Sequence, residues 1–175
     1  MIPGIVNINR VRVSRPSLFT IHHSLFTKRK VIQMMVSTRG RYALRVLIDL
    51  AEHNNGSYIP MKDVAARQEI SLKYLERILP TLTKAKLIEG VHGKGGGYKL
   101  TRSPEEYTVG EVLRLTEGDL APVACLSPEA EPCERAAECR TLGMWQGFYD
   151  LTNKYFDSIS IASLTNTETA DNYVI

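Results

Sequence analysis

Residues 71–101 read SLKYLERILPTLTKAKLIEGVHGKGGGYKLT, and the reading of this stretch decides the fold. Ser71 is a good helix N-cap, because its hydroxyl can accept from a backbone N–H of the first turn. Behind it Leu72, Leu75, Leu79 and Leu82 recur at helical spacing and predict one buried face. Pro80 lies inside this helix and removes one backbone bond, so a kink or a tightened turn is expected there. Residues 87–91, LIEGV, and 97–101, GYKLT, read as two short strands. His92-Gly93-Lys94-Gly95-Gly96 between them forms a hairpin loop. Gly93, Gly95, Gly96 and Gly97 are more glycine than a surface turn needs, which suits a loop that approaches another surface closely.

Upstream, residues 38–53 place Tyr42, Ala43, Val46, Leu47, Leu50 and Ala51 on one stripe, and Asn54-Asn55-Gly56 ends that helix. Ile59-Pro60 leads into a short helix at 61–68, and Glu69-Ile70 is a tight connection to the helix at Ser71. Three helices followed by a hairpin is a winged helix-turn-helix, with the third helix as the reader of the DNA major groove. Its face opposite the leucines offers Ser71, Lys73, Tyr74, Glu76 and Arg77. Arg can contact guanine with two bonds and Glu can accept from cytosine, whereas Lys and Tyr suit phosphate. The competing reading is a solvated face with an internal Glu76/Arg77 pair. At the hairpin tip His92, Lys94, Gly95 and Gly96 suit entry into a minor groove. A nucleotide-cradling loop is not expected: no G-x-x-x-x-G-K-[S/T] pattern is present, and a strand follows the glycines.

Downstream, Thr108-Val109-Gly110-Glu111 has capping-box spacing and opens a helix through about Thr116. Residues 118–140 are rich in Pro, Glu and Ala, carry all three cysteines and read as a loop. Residues 141–160 return to helical spacing, with Leu142, Trp145, Phe148 or Tyr149, Thr152, Tyr155 or Phe156, and Ile159. The fold class is therefore mainly α: a winged helix-turn-helix domain at 35–117 with a two-stranded wing, the cysteine loop at 118–140, and a long C-terminal helix at 141–160. Residues 161–175 read as a disordered tail.

Composition narrows the function. At 175 residues and 43% hydrophobic the chain can bury a core, which excludes wholesale disorder. No apolar run reaches the roughly 18 residues of a membrane span. Three cysteines exclude a fully paired disulfide framework. Residues 37–102 hold twelve basic and six acidic residues, net +6, while residues 103–175 hold four basic and thirteen acidic, net −9. A basic front half, including Arg39 and Arg41, points to a polyanion such as double-stranded DNA; the acidic back half must do something else. No paired carboxylates, Ser–His–Asp set or His-rich site appears, and His53 and His92 stand isolated, so no catalytic residue is assigned and an enzyme or small-molecule substrate is not expected. Residues 1–34 carry six Lys/Arg and no acid. A transit peptide and a nucleic-acid-binding arm are two readings. The expected one is a non-native or disordered extension ahead of a start at Met34 or Met35, because every recognisable pattern begins after it.

Cys125, Cys133 and Cys139 are spaced C-x7-C-x5-C, too wide for the usual structural zinc pair. Their acidic loop is a poor setting for buried core thiols, and a cytoplasmic location would keep them reduced. Iron–sulfur cluster, zinc, thiol switch and no role all stay open on spacing alone.

Four stretches in combination, Arg39-Gly40-Arg41-Tyr42-Ala43, Ile70-Ser71-Leu72-Lys73-Tyr74-Leu75-Glu76, Gly95-Gly96-Gly97-Tyr98 and Val109-Gly110-Glu111-Val112, resemble the Rrf-two family of bacterial transcription regulators over about residues 35–165. Its branches include iron–sulfur assembly regulators, nitric oxide sensors and rhizobial iron regulators, and the wide first cysteine gap is most similar to the last, the RirA type. The resemblance implies a cytoplasmic homodimer on double-stranded DNA, with the helix at 141–160 crossing to the partner subunit as a dimerisation helix. It also implies a four-iron or two-iron iron–sulfur cluster on Cys125, Cys133 and Cys139. Two departures stand out. The family's fourth ligand has no counterpart: its histidine position is Leu142 and its aspartate position Tyr42, which leaves Glu134, Glu138, a partner residue, water or a small thiol. And His92 stands where the family often has Arg, which weakens or makes pH-sensitive a minor-groove contact. The expected function is a repressor whose operator affinity is gated by the cluster, sensing iron, redox or nitric oxide status. The alternative is a cluster-free repressor controlled by a protein partner or by thiol oxidation.

Overall fold

The computed structural model describes residues 36–165; the readings of 1–34 and of 166–175 lie outside them. Ser37 accepts from the N–H groups of Arg39 (3.1 Å) and Gly40 (3.3 Å) and so starts helix α1, Thr38–Glu52. Ala43, Val46, Leu47 and Leu50 of its stripe are fully buried, with Tyr42 and Ala51 packed at the edge. Helix α2, Met61–Gln68, ends at Glu69, whose backbone is left-handed (φ 53°, ψ 39°). That single residue reverses the chain into α3, Leu72–Lys84, and completes a helix-turn-helix. A non-glycine residue is strained at this φ. Glu69→Gly is therefore expected to raise the unfolding free energy by about 0.5–1 kcal/mol, read by denaturant titration. A loss of stability would show that Glu69 makes a compensating contact.

Ser71 caps α3 as expected, accepting from Tyr74 N–H at 3.3 Å. The buried face differs by one residue. Leu75, Ile78, Leu79 and Leu82 are buried, but Leu72 is 40% exposed. The helical angle puts Leu72 at the edge of the buried face, between it and the outer face, and Ile78 completes the buried face instead. Pro80 is exposed and the helix runs through it to Lys84.

Strands β1 (Ile88–Val91) and β2 (Gly97–Leu100) pair antiparallel, Ile88 opposite Leu100 and Val91 opposite Gly97. Ile59 adds a bridge to Tyr98 through two 2.9 Å backbone bonds. The four glycines also have reasons inside the chain. Gly93 and Gly95 have φ of 103° and 79°. A Cβ at Gly96 would overlap the Val91 carbonyl, and one at Gly97 the Ile59 backbone. The wing base is tied by Tyr107, which is fully buried. Its hydroxyl accepts from the N–H groups of Thr101 (2.9 Å) and Arg102 (2.8 Å) and donates to the Leu87 carbonyl (2.8 Å).

Helix α4, Val109–Glu117, is capped by Thr108, which accepts from Glu111 N–H at 3.1 Å. The expected capping box is only half formed: the Glu111 carboxylate accepts from Arg102 instead (2.9 and 3.0 Å). A full box forms earlier, at Ser103 and Glu106. After the cysteine loop comes α5, Leu142–Asp157, about 24 Å long at 1.5 Å per residue. The helix expected to reach residue 160 stops there. Ile161 is fully buried and donates to the Tyr107 carbonyl (2.9 Å), opening a short α6, Ile161–Thr165, against α1. Residues 161–165 are thus helical, with Ile161 anchored in the core. The main core is built around α1 with α2, α3, the wing and α6. A smaller cluster joins Val109, Leu113 and Leu120 to Tyr149 and Phe156 of α5 and to Ile159, which follows it.

Candidate nucleic-acid interface and cysteine loop

The outer face of α3 presents Lys73, Glu76, Arg77 and Pro80, all exposed and spaced i, i+3, i+4, i+7 along one side of the helix. Four cations elsewhere are paired, while Lys62, Lys84 and Lys86 take part in no ion pair among the described residues. Arg67, Lys99, Arg102 and Arg114 pair with Asp49, Glu89, Glu111 and Asp157. Among the described residues Lys73, Arg77, Lys94 and Arg39 take part in no ion pair, and Glu76 and Arg77, adjacent in the helix, do not pair either. Exposed Arg39 and Arg41 stand in the first turn of α1, the latter bonded to Thr38 Oγ1 at 3.2 Å. His92, Lys94 and Gly95 are exposed at the wing tip, and Gly96 is half-buried under it.

Two of the expected contact residues have structural work. The Ser71 hydroxyl caps α3. The Tyr74 ring is half-buried and meets Tyr42 edge-on at 5.2 Å, with the Arg45 guanidinium 5.6 Å from the Tyr42 ring centre. Tyr42, which stands at the family's aspartate position, is therefore a packing residue.

The sequence reading missed the buried polar hub that fixes α2 on α1. Asp49 is fully buried. Its carboxylate accepts from Arg67 Nε (3.0 Å) and Nη2 (2.5 Å) and from Gln68 Nε2 (3.0 Å). Arg45 Nε donates to Gln68 Oε1 at 3.0 Å, and its Nη2 donates to the Gln68 carbonyl. His53, expected to stand alone, has Nδ1 2.9 Å from the Asp49 carbonyl. The available signal was an acid set inside the apolar run LIDLA, on the face that the periodicity buries.

The cysteine loop contains two short 3-10 turns, Ala124–Leu126 and Ala136–Glu138. Cys125 lies in the first, Cys139 follows the second, and Cys133 precedes it; all three are free and exposed. The Cys139 thiol is held below its ordinary pKa, first by the Thr141 hydroxyl 3.5 Å away and then by backbone N–H groups at the start of α5. Three free thiols are a suitable donor set for iron–sulfur chemistry. Their arrangement in one chain does not fit: among the described residues no three His, Cys, Asp or Glu side chains stand close enough to share a metal.

Helix α5 is two-faced. Inward, Tyr149 donates to Asp119 Oδ1 (2.9 Å), and Arg114 donates to Asn153 (2.9 Å) and Asp157 (2.5 Å). Burial, reinforced by Asp119, raises the Tyr149 pKa. Of the two alternative pairs in the sequence pattern, Tyr149 and Phe156 are therefore the inward members. Outward, Met144, Phe148, Leu151 and Tyr155 form an apolar stripe, with Leu151 65% exposed. Among the described residues no helix is long and apolar enough to cross a membrane.

Comparison with known proteins agrees with this architecture. The Rrf2 (Rrf-two) family, described as "Iron-dependent Transcriptional regulator", matches residues 36–167. The transcriptional regulator IscR of Aliivibrio salmonicida is 34% identical over 131 residues, 75% of this chain and 77% of that one. The structure of CymR (YrzC), the global cysteine regulator of B. subtilis, superposes with a TM-score of 0.61 at 30% identity, covering 75% of this chain and 95% of that one. That of T. potens IscR gives 0.59 at 27% identity, covering 81% and 93%. A winged helix-turn-helix with an outward cationic face and these relatives places the chain in one group: it belongs to the Rrf2 family and is a transcription regulator of the kind that binds DNA.

Proposed function

We propose that the protein is a homodimeric repressor that sets two α3 helices in successive major grooves and two wings in the flanking minor grooves. Iron–sulfur chemistry at Cys125, Cys133 and Cys139 gates its affinity in the cytoplasm. The observation that supports the DNA reading is the outer face of α3, where exposed Lys73, Glu76 and Arg77 take part in no ion pair among the described residues, with further exposed cations at the wing tip and at the start of α1. In this reading Arg77 and Glu76 meet base edges. Lys73, Arg39, Arg41 and Lys94 meet phosphate, and His92 with Gly95 and Gly96 enters the minor groove.

The outward stripe of α5 supports the dimer, since four large apolar side chains in one row need a cover and a second copy supplies the same row. Leu151→Glu is expected to convert the dimer to a folded monomer in sedimentation, because this exposed side chain contributes nothing to the single chain's core. A wild type that sediments as a monomer would remove the dimer.

The cysteine reading rests on three exposed thiols in one loop and on the iron dependence by which the family is described. A bound cluster would supply a redox-labile iron centre. Gathering the three thiols requires residues 118–140 to rearrange, and that loop joins α4 to α5, so its shape bears on how the two heads are spaced. To act as a switch, the change must alter DNA affinity by about 1–3 kcal/mol. Anaerobic reconstitution is expected to give a brown protein and Cys133→Ala a colourless one. A colourless wild type overturns the cluster. One observation favours a second reading, thiol oxidation: the depressed pKa of exposed Cys139 makes it the readiest of the three to react. That reading predicts equal DNA affinity with and without iron, and loss of binding in peroxide.

A further inference from the structure

The geometry points to Leu72 as a base-reading residue that recognises the 5-methyl group of thymine in the major groove. This inference rests on the DNA reading above and adds a specificity that the charged face alone does not supply. Leu72 is the first residue of α3 and is 40% exposed, although its spacing would bury it. Ile70 before it and Leu75 one turn further on are both buried, so Leu72 stands out from the core between two core residues. Around it on the surface stand Ser71, Lys73 and Glu76, all exposed, with Glu76 at i+4 on the same side. An apolar side chain at the start of the reading helix gains free energy from any apolar group that covers it when the helix docks.

The first turns of the reading helix in a helix-turn-helix lie nearest the base edges. Leu can neither donate nor accept, and the thymine methyl is the apolar feature a base pair shows in the major groove. Lys73 and Arg77, unpaired beside it, fit the phosphates that flank such a contact. A second copy of the chain is a poor alternative occupant, because it would bring the same unpaired cations against themselves. The neighbouring charges divide the work: Glu76 and Arg77 discriminate by hydrogen bonds, and Leu72 by the presence or absence of one methyl group.

The test uses the full chain and duplexes selected by it from a random-sequence pool. Each thymine of a selected duplex is replaced in turn by deoxyuridine, which keeps every hydrogen bond and removes only the methyl group. Wild type is expected to lose affinity about fourfold per half-site at one position, the size of one buried methyl group. Leu72→Ala is expected to bind the thymine and uracil duplexes equally at that position while keeping its dependence on the rest of the site. Wild-type indifference to uracil at every position overturns the inference, as does a Leu72→Ala variant that retains the full thymine preference. Failure to enrich any duplex overturns the DNA reading itself, so the two failures are distinct. The uracil series on wild type needs no altered protein, and Leu72, lying at the exposed tip, leaves the core intact when shortened.

Discussion

Arg67→Ala is expected to lower the unfolding free energy by about 3 kcal/mol and the thermal midpoint by about 10 °C. The carboxylate of Asp49 is fully buried, and the two-pronged contact from Arg67 supplies two of its three side-chain partners. Deleting the guanidinium leaves a buried negative charge with one hydrogen bond, from Gln68, and the His53 ring 3.7 Å away. The penalty is one of desolvation rather than of forfeited attraction, and costs of this kind run to about 3–5 kcal/mol when the site stays dry. The lower figure applies because the Arg67 side chain is 33% exposed, so water can follow it out. The mechanism makes a second prediction. Removing the charge as well, in Asp49→Leu/Arg67→Ala, should recover most of the loss, because neither partner is then left unsatisfied. If Arg67→Ala costs less than about 1 kcal/mol, Asp49 is not held as described. The same change should weaken DNA binding, since Arg45, Gln68, Asp49 and Arg67 together fix α2 on α1, and α2 in turn carries the turn that aims α3.

That hub shows where sequence reasoning stops. The three helices and the wing were legible because their signals are local: a hydroxyl at Ser71, the Asn54-Asn55-Gly56 stop, a leucine every turn, a glycine-rich gap between two short apolar runs. The partners of Asp49 lie eighteen and nineteen residues away on another helix, and nothing in the spacing says which cation arrives. Periodicity gives the sector of the helix that is buried but not which residue at its edge is covered, so Ile78 is buried where the leucine spacing points to Leu72. The burial of Ile161 depends on the Tyr107 carbonyl more than fifty residues earlier, which no local pattern can announce. At the site, the positions of Lys73, Glu76, Arg77, His92 and Lys94 could be read from helix and hairpin geometry. The cap at Ser71 is legible too, but the packing role of Tyr74 is not, because it is set by Tyr42 on another helix. In the cysteine loop, the sequence shows three sulfur donors and their chain spacing, but irregular backbone carries no period from which a distance could be deduced.

Arg77→Ala is expected to weaken binding to a selected duplex on the order of a hundredfold while leaving the thermal midpoint unchanged. A good bidentate contact to a base is worth about 1–3 kcal/mol, and a dimer makes it twice. The contrast with Arg67 is the substance of the prediction. Both changes remove one positive charge per chain from the helix-turn-helix, so a purely electrostatic account of DNA attraction would predict similar losses. The structure assigns them opposite duties: Arg67 is paired within the fold, whereas Arg77 is exposed and takes part in none of the ion pairs among the described residues. Lys73→Ala separates a third duty. As a phosphate-binding residue it should weaken all sequences alike and reduce the slope of log affinity against log salt by about 0.9 for each phosphate that is no longer neutralised. Arg77→Ala should instead relax preference at one position in each half-site. Affinity within twofold of wild type for both variants would mean that the outer face of α3 is only solvated. The helix would then have to meet DNA by another side, and its unpaired cations would need a different explanation.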